Sequence, residues 1–317
     1  MIITLTLNPA LDLTYHLADD TLGAVDVHRS TSQTLEASGK GINVSRDLHA
    51  AGLATAAVFP SAGATGRHLA ELLVAEGVRH AAPASSGETR INSTVLLPHG
   101  QTIKINGPGA ALTPVDVGAV LDAVDQELTQ AGGEEETWLV ISGSLAPGAG
   151  PEVVTAFVEL AHRHTARCAV DISGPALAAA LAAGADLLAP NEIELADLLG
   201  VPKPTSVDET AALARRVALE YDAQLLVSMG KAGAIHTDGF SVIHGGGPAL
   251  VPVNTAGAGD AFLAGWLAAA GTPSERMARA MQWGRSACLC PTTVDPRPGS
   301  AGTEGITVSQ IETAERP

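Results

Sequence analysis

Short runs of Val, Ile and Leu recur along this chain, each set against a stretch with helical spacing, and that alternation limits the available folds more than any other feature. Runs at 2–7, 55–59, 137–142, 167–172 and 186–189 precede helical stretches at 42–52, 66–77, 151–163, 175–183 and 192–199; a helix over 207–220 precedes a run at 224–228. A strand buried on both faces shows no polar alternation, and a parallel neighbour needs a crossover helix. The pattern therefore predicts an α/β protein, doubly wound around a mostly parallel sheet. Ligands of such sheets sit at the carboxyl ends of the strands, so the turns that follow strands are where function is to be sought.

Two inserts, 11–37 and 89–106, break the alternation with polar-alternating strands and turns. The second reads as Arg90–Leu97, a turn at Pro98-His99-Gly100, and a return strand to Asn106. Together they predict a small antiparallel β lid on one domain spanning 1–317. Residues 291–304, dense in Pro, Thr and Gly, read as a long loop, with a short strand or helix from about 305. Glu134-Glu135-Glu136 reads as a solvated acidic loop.

A net charge of −16 argues against nucleic acid or an anionic membrane as partner, and no segment reads as membrane-spanning. An anionic small molecule therefore needs a local basic site, and the lysines are only Lys40, Lys104, Lys203 and Lys231. Cys168, Cys288 and Cys290 have neither metal-site nor disulfide spacing, and the first residues have no basic leader. A cytoplasmic location is expected, with Cys288 and Cys290 serving packing.

The densest chemistry lies in Asn254-Thr255-Ala256-Gly257-Ala258-Gly259-Asp260-Ala261-Phe262, a small-residue turn running into an apolar helix. Its glycines let successive N–H groups point one way, and the helix start adds unpaired N–H groups and a positive dipole end. Gly257, Ala258 and Gly259 then form an anion-binding nest with Asp260 as a proton acceptor at its rim, as phosphoryl transfer to a hydroxyl requires; the plain alternative is a helix cap. The helix N-terminus is expected to lower the basicity of Asp260.

Ser38-Gly39-Lys40-Gly41-Ile42-Asn43 is a second such turn, in which Lys40 can meet a phosphate and Asn43 sugar hydroxyls; it lacks Walker A spacing. Asp12, after Asn8-Pro9, can accept from two hydroxyls or cap a turn. Asn191 and Glu194 can orient phosphates through a hydrated Mg²⁺ or form an N-cap with first-turn acids. Ser228, Gly230 and Gly233 mark a nucleotide edge or a hairpin, and Ser142-Gly143-Ser144 is one more glycine turn. Arg90 and Lys104 add positive charge from the second insert.

In combination, Leu5–Asp12, Gly39–Val44, Thr89-Arg90, Ser142–Leu145, Pro190–Leu195 and Thr255–Asp260 resemble the PfkB, ribokinase-like, family of carbohydrate kinases, in its sugar-phosphate branch. The resemblance implies a ribokinase-like fold and ATP- and Mg²⁺-dependent phosphorylation of a hexose monophosphate, foremost fructose 1-phosphate, with fructose 6-phosphate or tagatose 6-phosphate as alternatives and a non-catalytic sugar-phosphate binder as a remote one. It implies Asp260 as base, Asp12, Gly39 and Asn43 on the sugar, and Lys40 and Arg90 on its phosphate; Ser144, in its glycine turn, and Lys104, by its charge in the second insert, are expected to join the substrate site. Asn191, Ser228, Gly230, Gly233, Thr255, Gly257 and Gly259 would line the nucleotide, and Glu194 would reach the metal through water. The lid would pair two subunits into a homodimer. Ala189 stands where the family usually has lysine, and Asn254 where many sugar kinases have Asp.

Overall fold

The computed structural model of the protein describes residues 1–18, 22, 27–98, 102–132 and 136–312. From β1 (Ile2–Leu5) the chain leaves the core through β2 (Ala10–Leu17) and β3 (Ser30–Ser38), then returns in α1 (Lys40–Ala50) and β4 (Thr55–Val58). Two-residue strands β5 (Ser61–Ala62), β6 (His80–Ala81) and β7 (Ala84–Ser85) surround α2 (Gly63–Glu76), and β8 (Arg90–Leu96) and β9 (Thr102–Ile105) form a second excursion. There follow α3 (Pro114–Gln130), β10 (Trp138–Ser142), α4 (Pro151–Arg163), β11 (Arg167–Asp171), α5 (Pro175–Ala182), β12 (Leu187–Leu188), α6 (Glu192–Leu199), α7 (Val207–Tyr221) and β13 (Gln224–Ser228). The last are β14 (Ala234–Thr237), β15 (Val242–Gly246), α8 (Ala258–Ala268), α9 (Pro273–Leu289) and β16 (Thr307–Gln310).

Ten strands make one sheet in the order β16-β15-β14-β13-β12-β11-β10-β1-β4-β6. From β6 to β13 neighbours are parallel; β14, β15 and β16 extend that edge antiparallel. In β1, Leu5 lies between Val58 and Ile141, and alternation sends Ile3 and Leu5 to one face and Ile2 to the other. The first face packs against Val120, Phe157, Leu177 and Val217 from α3, α4, α5 and α7. The second packs against Val44 and Leu48 of α1 and Trp266 and Met277 of α8 and α9. Removing a side chain as buried as Phe157 leaves a void worth about 3–5 kcal/mol.

Every strand and helix read from the alternation is present, with α1 and α2 starting two or three residues early. The pattern did not reveal α3, whose capping box joins Thr113 and Asp116, because loop residues separate it from any strand. Residues 307–310 form a strand.

The inserts build a four-stranded sheet, β3-β2-β8-β9. Its hairpins β2–β3 and β8–β9 are antiparallel as expected, but the central pair β2–β8 is parallel. Both strands leave the core in the same direction, β2 after β1 and β8 after Thr89, so they lie side by side. The tips of the inserts, 19–21, 23–26 and 99–101, and Glu134-Glu135 of the acidic run, lie outside the described residues.

Candidate active site

The site forms along the carboxyl edge of the parallel strands, where their loops meet the N-termini of α1 and α8. Gly257 caps α8 at φ 77°, and a side chain there would run into the Thr293 carbonyl of the loop after α9. Ala256 N–H is taken by Asn254 Oδ1 at 3.0 Å. The open donors of the nest are therefore the N–H groups of Gly257 and Gly259 in the unpaired first turn.

Asp260 is 6 % exposed and accepts from Asn43 Nδ2 at 2.8 Å. Its pKa is pushed up to about 7, first by burial and then by the charge of Asp171, against the opposing pull of the Asn43 hydrogen bond and Lys40. The expected lowering by the helix N-terminus is thus reversed: desolvation of a fully enclosed carboxylate outweighs a terminal dipole.

α1 carries Gly39–Asn43 to Asp260. Gly39, at φ 130°, and Gly41 let the helix start against β1, where a Cβ on either would come within 2.6 Å of Thr6. These glycines thus serve close packing. Lys40 Nζ reaches Asp171 Oδ1 at 2.9 Å, and Ser142 Oγ donates to Asp171 Oδ2 at 3.0 Å. Burial lowers the Lys40 pKa, but the charge and hydrogen bond of Asp171 override it and leave it raised.

The lid carries the next group. Asp12 accepts from Ser38 Oγ at 2.7 Å and Asn92 Nδ2 at 2.9 Å. Arg90 donates to Asn8 O at 3.0 Å and Gly107 O at 3.2 Å, and its Nε is buried without a partner. Burial lowers the Arg90 pKa, against the charge of Asp12. Asn8 Nδ2 in turn contacts Ser144 Oγ at 3.2 Å. Ladder register puts Lys104 on the same lid face as Asp12, on exposed edge strand β9 and one side-chain repeat further out.

Across the nest lies a cavity of about 390 Å³ lined by Ser228, Gly230, Gly233, Thr255, Ala258 and Gly259, with Phe262 and Met281 forming an apolar wall. β13 and β14 form a hairpin whose turn supplies Gly230 and Gly233. Asn191 bridges to Ser228, but its Oδ1 caps α6 and Glu194 Oε2 accepts from Asn191 N at 2.9 Å, so the capping box weighed from sequence is formed. Glu194 remains close enough to act on Lys40. Lys231, Arg285 and Cys288 also line this cavity, placing Cys288 at the site rather than in packing alone.

Asp171, Asn8 and Asn92 were not singled out from sequence. Asp171 ends a buried strand before a Ser-Gly turn, a signal the strand-end rule could have used; Asn8 lies within the Leu5–Asp12 stretch that carries the resemblance, and Asn92 offered no signal of its own.

Comparison with known proteins follows this geometry. The family model described as pfkB family carbohydrate kinase matches residues 5–290. The chain is 35% identical over 270 residues to a 1-phosphofructokinase of Rhodobacter capsulatus, covering 85% of this chain and 83% of that protein. It is 35% identical over 268 residues to the ATP-dependent 6-phosphofructokinase isozyme 2 of Escherichia coli, covering 83% of each. The crystal structure of phosphofructokinase-2 from Escherichia coli in complex with fructose-6-phosphate superimposes with a TM-score of 0.82 at 33% identity, over 91% of this chain and 93% of that one.

Proposed function

Because the chain belongs to the pfkB family of carbohydrate kinases, we propose that it is an ATP-dependent hexose-phosphate kinase that forms a bisphosphate, with fructose 1-phosphate as its foremost acceptor. One observation carries the reading: Asp260, a buried carboxyl with its pKa near 7, stands beside the open N–H groups of Gly257 and Gly259, between a nucleotide-sized cavity and the Lys40–Asp171 and Asp12 groups.

Ionised Asp260 takes the proton of the acceptor hydroxyl as that oxygen forms its bond to the γ-phosphorus of ATP and the bond from that phosphorus to the β,γ-bridging oxygen breaks, releasing ADP. The Gly257 and Gly259 N–H groups hold the negative charge on the transferring phosphoryl oxygens, which is where most of the rate comes from in such a reaction. Asp12, with Ser38 and Asn92 fixing its oxygens, orients sugar hydroxyls. Lys40, Arg90 and Lys104 meet the phosphate the sugar already carries; the unpartnered Arg90 Nε is a buried donor of the kind such an anion satisfies. Ser228, Gly230, Gly233 and Thr255 border the nucleotide.

No group of three or more His, Cys, Asp or Glu among the described residues forms a cage for a metal ion. This fits a Mg²⁺ that arrives on the nucleotide phosphates and is steadied through water by Glu194, one oxygen of which is outside the capping box. When bound, the ion neutralises phosphate charge.

The lid supports the homodimer. Leu13, Tyr15, Leu35, Ile91, Val95, Ile103 and Ile105 alternate onto the face opposite Asp12, and Leu35, Ile91 and Ile105 are exposed there. A second copy of this apolar face covers it. No helix among the described residues is long and apolar enough to cross a membrane, and the cysteines are free, as in a cytoplasmic enzyme.

The test is ADP release with fructose 1-phosphate, fructose 6-phosphate, tagatose 6-phosphate and free fructose. Highest kcat/KM with fructose 1-phosphate is expected; equal turnover of free fructose would place the enzyme among free-sugar kinases. The 35% identity to a 6-phosphofructokinase makes fructose 6-phosphate the second reading.

A further inference from the structure

The face of α1 turned towards α8 has acceptor oxygens without donors. Asn43 gives its amide N–H to Asp260, but its Oδ1 is buried with no partner. One turn further on, Asp47 is 0 % exposed, and neither of its carboxyl oxygens meets a donor in full hydrogen-bond geometry, although the Asp295 backbone N–H faces one of them. Residues four apart on a helix share one face, so Asn43 and Asp47 present these acceptors on the same side of α1, one turn apart. An unpaired buried acceptor is destabilising, and a charged one more so. A carboxylate brings only acceptors, whereas a carboxylic acid brings an O–H donor.

We propose that Asp47 is a positioning residue that carries a proton in the folded protein and donates it to Asn43 Oδ1, fixing the amide whose other end holds Asp260. One proton then satisfies Asn43 Oδ1 and one oxygen of Asp47, and the other oxygen faces the Asp295 backbone N–H. The surrounding charges favour this state. Asp260 approaches from α8 and Asp295 from the loop after α9, and the charge of each raises the Asp47 pKa, while Arg46 on α1 opposes them. The Arg46 guanidinium is already held by Glu76 at 2.7 Å through two nitrogens and by Ala37 O at 2.8 Å, with Glu36 at 3.6 Å. Burial foremost, then Asp260, holds the Asp47 carboxyl well above the usual carboxylate range.

The consequence concerns which way the Asn43 amide points. An unpinned amide can rotate and set Oδ1 against the Asp260 carboxylate, where it repels; a donor on Oδ1 leaves only Nδ2 to face Asp260. Asp47 thus acts on the reaction without touching a substrate.

The inference rests on Asp260 being the proton acceptor, and the first measurement is independent of that. Carboxyl ¹³C NMR of the unliganded protein, with the Asp47 resonance assigned by its loss in Asp47→Asn, should show Asp47 still protonated at neutral pH, where exposed carboxyls are ionised. An ionised signal at pH 7.5 overturns the proposal, whether water or a cation satisfies the oxygens instead. Kinetically, Asp47→Val should lower kcat about tenfold or more with KM for ATP within about twofold, and Asp47→Asn, which donates from its own amide, should recover kcat to within about threefold of the wild type. A Val variant with wild-type kcat, or an Asn variant as impaired as Val, overturns it. Should the Val variant not fold, the NMR titration and the Asn variant decide; should the wild type phosphorylate no sugar, the resonance still reports the proton while the kinase reading fails.

Discussion

Asp260 joins three properties that pull against one another: it is buried, it neighbours Asp171, and, as the proposed base, it must ionise to accept a proton. With its pKa near 7, kcat/KM should fall about tenfold per pH unit below that value. Asp171→Asn removes the charge that raises it and should move this acid limb to lower pH, while Lys40→Ala removes a charge that lowers it and should move the limb up; a pH profile of each variant checks the pair. Asp260→Asn should lower kcat about 10³-fold with nucleotide binding nearly unchanged, and a variant keeping a tenth of the turnover would refute the assignment. The same shift bears on stability. A carboxyl whose folded pKa lies above its unfolded value stabilises fully below about pH 4 and loses that contribution as pH rises through about 7. Asp260→Asn should therefore exceed the wild type by roughly 3–4 kcal/mol at pH 8, with no difference near pH 4, in thermal melts at the two pH values. Arg90→Ala should weaken kcat/KM for the phosphorylated sugar by about 1.5–3 kcal/mol and leave KM for ATP nearly unchanged. Much of this site was legible because Asp260, Lys40 and Asn43 stand in glycine turns after strands. The direction of the Asp260 shift was not, since it depends on Asp171, more than eighty residues away in sequence, and on burial that no local window contains.

At the scale of elements, the lid shows what periodicity conveys and what it omits. Alternation of polar and apolar residues in 11–17 and 90–96 marked both inserts as strands with two unlike faces. It could not say that β2 and β8 pair in parallel, because that follows from where each strand leaves the core. The two faces differ in character: Asp12, Asn92 and Lys104 share one, while Leu35, Ile91 and Ile105, exposed by 37, 42 and 63 %, lie on the other. Sedimentation should show a homodimer at micromolar concentration, and Ile105→Glu should shift it to monomer without unfolding the core, since Ile105 touches none of the buried clusters. A variant that stays dimeric would place the subunit contact elsewhere. α3 was missed for the opposite reason, being a helix whose apolar positions were not preceded by a strand run.

On the scale of the whole molecule, the sheet gathers Asp12, Asn43, Asp171, Ser228 and Asp260 to one edge, although they are spread over most of the chain. The doubly wound core was readable because each parallel strand is a short apolar run with its crossover helix beside it. The antiparallel edge beyond β13 was less so: its strands are short and interrupted by glycine, as at Gly245 and Gly246 of β15. That edge closes late. β15 pairs with β16 only after α8 and α9 have been made, so a growing chain on the ribosome presents an unpaired strand edge through much of the remaining synthesis. Crowded nascent chains can pair there with one another before β16 arrives, so yield at high expression is the property most exposed to a change such as Val308→Pro.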